Sequence, residues 1–146
     1  MNNKTILLVE DNPSDIELTK RAFEKAHITN NLVIVEDGHE ALDYILGNGK
    51  YVNRDISQIP TVILLDLKLP KIDGLEVLRR IRATEKIKTL PVVILTSSKE
   101  EQDVAASYDL GVNSYIRKPV DFNQFAEAIK HLGLYWLVIN EPPPLV

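Results

Sequence analysis

Val62-Ile63-Leu64-Leu65 runs without a polar break into Asp66, and the stretch ends a few residues later at Pro70. Four consecutive aliphatic residues show none of the alternation of a strand with one wet face. Such a strand is buried on both sides, the situation at the centre of a parallel sheet covered by crossover helices. Four other short runs resemble it: Thr5 to Val9, Leu32 to Val35, Pro91 to Thr96, and the less apolar Ser114 to Arg117, which suits an edge. Every run is followed by residues at helical spacing.

Those helices carry their own start and stop signals. Asn12 can cap the first, with Pro13 in its first turn and Asp15 favouring the positive end of the macrodipole. Ile16, Thr19, Ala22, Phe23 and Ala26 give it one buried face, and it runs to about His27. Asp37-Gly38-His39-Glu40 and Ser98-Lys99-Glu100-Glu101 have capping-box spacing, Gly47 and Gly111 are C-terminal stops, and Asp73-Gly74 and Asp121 open two more helices. Val77, Leu78 and Ile81 point inward from the third helix, which leaves Arg79, Arg80 and Arg82 as a solvated face. His27, His39 and His131 are scattered at helix positions and read as structural or solvated. Residues 48–60 form an irregular insertion longer than most connections, a candidate contact surface. The Pro142-Pro143-Pro144 tail is expected to be extended.

Strands alternating with helices predict an α/β, doubly wound (βα)5 sandwich of flavodoxin-like type with right-handed crossovers. The order 2-1-3-4-5 is the topological prior, and it sets the first and third strands side by side at the switch point. Glu10, Asp11 and Asp66 then share one crevice, and Thr96 and Lys118 arrive at the same rim. Residues 1–134 are expected to form this domain and 135–146 a C-terminal extension, with no output domain.

Packed carboxylates repel unless positive charge intervenes. The chain has no cysteine, so disulfides and thiolate metal sites are excluded, and a hard divalent cation with oxygen ligands suits the acids. Mg²⁺ takes only one or two carboxylates, which leaves one free as a nucleophile toward phosphorus. Lys118 supplies an ammonium and Thr96 a hydroxyl for the transferred group. A net charge of −4 over 146 residues gives no basic footprint for nucleic acid or an anionic membrane. The apolar runs are too short to span a bilayer and no signal-peptide layout is present, so a cytoplasmic location is expected.

Glu10-Asp11 after the first strand, Asp66 in Leu-Leu-Asp-Leu-Lys-Leu-Pro, Asp73-Gly74, Thr96 and Lys118-Pro119 together resemble a response-regulator receiver domain, from Ile6 to Leu132. The resemblance implies that Asp66 is phosphorylated by a sensor histidine kinase. It also implies that Asp11, Asp66 and the Lys68 backbone carbonyl hold Mg²⁺, with Glu10 acting through water. Thr96 and Tyr115 are then the switch pair, Lys118-Pro119 a cis peptide, and the fourth helix, fifth strand and fifth helix the altered surface. The insertion and the segment from Gly133 through Trp136 resemble the single-domain regulators of phytochrome-type kinases. In that group a homodimer forms on the fifth-helix side, with Tyr135-Trp136-Leu137 as anchors. A phosphoacceptor signalling protein rather than an enzyme is the expectation. The competing class, a Mg²⁺-dependent aspartyl-phosphate phosphotransferase or phosphatase on small substrates, lacks a second acid two residues after Asp66. A nucleotide- or flavin-binding fold lacks a Gly-rich loop after the first strand.

Overall fold

The computed structural model describes residues 4–97, 101–118 and 121–142. Strands β1 (Thr5–Val9), β2 (Asn31–Val35), β3 (Val62–Leu65), β4 (Val92–Thr96) and β5 (Ser114–Arg117) form one parallel sheet in the order β2-β1-β3-β4-β5. They alternate with α1 (Pro13–Lys25), α2 (Gly38–Leu46), α3 (Gly74–Ala83), α4 (Glu101–Asp109) and α5 (Phe122–Leu134). All four residues of β3 are buried, as their uninterrupted apolar character requires. The edge position of β5 also agrees with its mixed sequence.

The pleat divides the core in two. Leu7, Val9, Ile63, Leu65 and Ile94 face α2 and α3, where Leu42, Ile45, Val77, Leu78 and Ile81 meet them. Ile6, Leu8, Val62, Leu64, Val93 and Leu95 face α1 and α5, against Phe23, Phe125, Ile129 and Leu132. A strand period of two and helices on both faces therefore explain every one of these positions. Asn12 caps α1 by accepting from the Ser14 and Asp15 N–H groups, and Asp37, Asp73 and Asp121 cap α2, α3 and α5 in the same way. Gly47 ends α2 at φ 73°. The first helix stops at Lys25, two residues short of the expected His27, which itself turns left-handed at φ 57°.

Four further features differ from the sequence reading. Glu40 does not close a reciprocal box on Asp37, because its side chain accepts from the Glu36 N–H instead. Arg82 is not a solvated residue: its guanidinium donates to the carbonyls of Lys88, Leu90, Leu110 and Gly111. The insertion folds back on α2, through a 3-10 turn at Gly49–Tyr51. Tyr51 packs edge-on against Tyr44 and donates to Glu40, while Arg54 covers the Tyr44 ring and bonds the Tyr44 and Ile45 carbonyls. Beyond α5 the chain continues helically as a π-helical stretch, Tyr135–Ile139. There Leu137 is buried among the α1–α5 residues and Trp136 packs partly against them, so two of the three expected dimer anchors serve their own core.

Ser98, Lys99, Glu100, Pro119 and residues 143–146 lie outside the described residues, and with them the Ser98 capping box, the Lys118-Pro119 peptide geometry and most of the proline tail. Among the described residues, no helix is long and apolar enough to cross a membrane.

Candidate functional site

Because β1 and β3 are direct neighbours, with Val9 opposite Leu65, the residues after them leave the sheet side by side. The Glu10 N–H donates to the Val35 carbonyl at 3.0 Å and the Asp66 N–H to Val9 at 3.1 Å. Both residues are thus held one step beyond the ladder in strand-like geometry. Glu10 is 2% exposed and Asp66 7%, whereas Asp11 reaches solvent. One carboxylate oxygen from each of Glu10, Asp11 and Asp66 lies within 4.8 Å of the other two. Asp66 Oδ1 accepts from the Lys68 N–H at 3.2 Å, and Glu10 Oε2 accepts from the Asn12 N–H at 3.2 Å. Next to the group, Asp11, Lys68, Pro70, Asp73 and Asp103 line an open cleft of about 470 Å³.

Lys118 comes from the other side. Its N–H donates to the carbonyl of Thr96, the last residue of β4, at 2.6 Å, which brings both residues to the rim. The ammonium is buried and donates to Glu10 Oε1 at 2.5 Å and Asp15 Oδ2 at 3.0 Å, with Asp66 Oδ2 at 3.7 Å. Thr96 is fully buried. Tyr115 stands opposite Ile94 in the β4–β5 ladder, half-buried against the α2–α3 side of the core. Asp15 is the residue that sequence reasoning missed here. Its place in the first turn of α1 gave it a helix-dipole role, and nothing in its spacing pointed to Lys118.

Burial pushes the Glu10 carboxyl up to about 7, and the Asp66 charge adds to this against the hydrogen bond and charge of Lys118. For Lys118, burial alone would lower the ammonium, but the hydrogen bonds to Glu10 and Asp15 and the charge of Asp66 reverse this and hold it above its ordinary value. The two directions agree physically: the lysine stays charged, and one ammonium does not fully compensate the acids around it. An all-oxygen donor set that is short of positive charge fits a hard divalent cation, with Asp11, Asp66 and Glu10 as the groups able to hold it.

A family model, the response regulator receiver domain, matches residues 6–130 of the chain. The chain belongs to that family. Response regulator Rcp1 of Synechocystis sp. is 40% identical over 134 residues, covering 92% of this chain and 89% of that protein. The Mn²⁺-bound form of Rcp1 superposes with a TM-score of 0.85 at 38% identity, covering 97% and 99% of the two chains. The phosphorylated cyanobacterial phytochrome response regulator RcpA gives a TM-score of 0.87 at 41% identity, again covering 97% and 99%. The bacteriophytochrome response regulator AtBRR is 53% identical with a TM-score of 0.78, covering 97% of this chain and all of that one (100%). A receiver domain of a two-component response regulator works by phosphorylation from a kinase, and receivers bind a divalent metal in an acidic pocket of this kind.

Proposed function

We propose that Asp66 is the phosphoacceptor and that a sensor histidine kinase of phytochrome type is the donor. One carboxylate oxygen of Asp66 forms the new bond to phosphorus as the phosphorus–nitrogen bond to the donor imidazole breaks, and the electron pair leaves on that nitrogen. The observation that carries this reading is the convergence of Glu10, Asp11 and Asp66 with the ammonium of Lys118, beside an open cleft. Mg²⁺ is the ion that we assign to the acids, held by Asp11, Asp66 and the Lys68 carbonyl, with Glu10 acting through water. Bound there, the ion would supply positive charge against the carboxylates and the phosphoryl oxygens. Lys118 neutralises the transferred group, Thr96 offers it a hydroxyl, and Tyr115 is the aromatic partner of that switch.

The chain acts as a signalling protein that holds phosphate rather than as an enzyme turning over free substrates. Its output surface is α4, β5 and α5 with the π-helical stretch, where two copies of the chain associate. The exposed Leu134, Tyr135, Val138 and Ile139 support that assignment. The relatives RcpA and AtBRR, described as phytochrome and bacteriophytochrome regulators, favour the kinase class. Phosphotransfer from a panel of purified histidine kinases tests it. Rapid transfer from phytochrome-type kinases and none to Asp66→Asn is expected; preferential transfer from another class overturns the donor assignment.

A further inference from the structure

The Lys118 ammonium has three protons to donate, and its two short hydrogen bonds go to Glu10 and Asp15, not to Asp66. Asp15 is not one of the acids whose oxygens gather within 4.8 Å of one another, a group made by Glu10, Asp11 and Asp66. Nor is it needed as a helix cap, because Asn12 caps α1 and accepts the N–H of Asp15 itself at 3.1 Å. Its side chain spans from the first turn of α1 to the residue after β5, and it is 34% exposed where Glu10 is 2% exposed.

From this geometry we propose that Asp15 is a positioning residue, a releasable counter-ion that keeps the Lys118 ammonium beyond hydrogen-bonding distance of Asp66, at 3.7 Å, until a phosphoryl group arrives. This rests on the reading of Asp66 as phosphoacceptor. The phosphoryl group brings close to two negative charges and strong acceptor oxygens, so the ammonium must turn toward it and give up a partner. Glu10 is a costly partner to abandon, since its carboxylate would be left unpaired and buried. Asp15 is cheap to abandon, since water reaches its oxygens and replaces the lost hydrogen bond. The strength of the Asp15–Lys118 pair therefore sets how readily Asp66 is charged.

The test follows phosphorylation of the full chain by acetyl phosphate at saturating Mg²⁺, read by intact-protein mass spectrometry. Asp15→Asn should accept phosphate about two- to fivefold faster, the factor a partly exposed ion pair is worth, and Asp15→Glu should return the rate toward wild type. In a Lys118→Gln background the Asp15→Asn substitution should leave the rate where that background has it. An unchanged or slower rate in Asp15→Asn overturns the proposal. So does an equal acceleration without Lys118, which would mean plain charge repulsion of the donor. In both cases Asp66→Asn would still block phosphorylation and the phosphoacceptor reading would survive; phosphate uptake that persists in Asp66→Asn overturns both.

Discussion

A methyl group added at Gly74 would lie 2.2 Å from the Asp66 carbonyl oxygen and 2.7 Å from Leu67 Cα, backbone atoms that cannot swing aside. The N-terminus of α3 is therefore pressed against the turn that presents Asp66, and only a residue without Cβ permits it. Gly74→Ala should cost about 1–3 kcal/mol, as overpacking does, and should slow phosphate acceptance by displacing Asp66. Urea midpoints and acetyl phosphate kinetics on the same preparation check both halves. Asp66 and Lys118 were legible in the sequence because each follows a strand directly, and a parallel sheet gathers its strand exits along one edge. Asp15 was not, because its partner lies 103 residues away and no local spacing encodes the lean of α1 over the rim.

At the scale of elements, Arg82 fastens the end of α4 to the chain after α3. Its hydrogen bonds reach Leu110 and Gly111 on one side and Lys88 and Leu90 on the other. Helical periodicity placed it outside with Arg79 and Arg80, which do pair with Glu76 on the surface. Periodicity describes one helix and cannot show that the carbonyls of another connection arrive over its last turn. Arg82→Ala should cost about 1.5–3 kcal/mol, the range for charged hydrogen bonds. Amide exchange should accelerate most in the last turn of α4 and the Leu110–Val112 connection. An even loss of protection across the sheet would count against this fastening role.

The insertion is held to α2 through Glu40. Burial pushes the Glu40 carboxyl up, but hydrogen bonds from Lys50, Tyr51 and the Glu36 N–H outweigh that and leave it below its ordinary 4.5. A carboxyl depressed in the folded chain contributes stability that is complete above the unfolded value and disappears as pH falls through the folded one. Stability should therefore decline on acidification below about pH 5, and Glu40→Gln should flatten that decline by under about 1 kcal/mol. Denaturant titrations from pH 7 to pH 3 on the two proteins measure the difference.

For the whole molecule, five apolar runs and their helical spacers predicted the doubly wound class, and the topological prior for such sheets supplied the order now seen. The C-terminal stretch was harder. Tyr135, Trp136 and Leu137 are all apolar, so composition could not separate Leu137, which closes the core, from Tyr135, which is 47% exposed. The outward set is Leu134, Tyr135, Val138 and Ile139, and a dimer through it should dissociate in Val138→Asp and persist in Trp136→Phe. Sedimentation velocity across a concentration series distinguishes the two.

In the proposed function one carboxylate, that of Asp66, carries the phosphoryl group. Borohydride reduction of the protein after exposure to acetyl phosphate and Mg²⁺ converts an aspartyl phosphate to homoserine, and peptide mass spectrometry locates it. Homoserine is expected at position 66 alone, and none when the divalent cation is chelated. Homoserine at any other aspartate, or equal labelling without the cation, would contradict the proposed function.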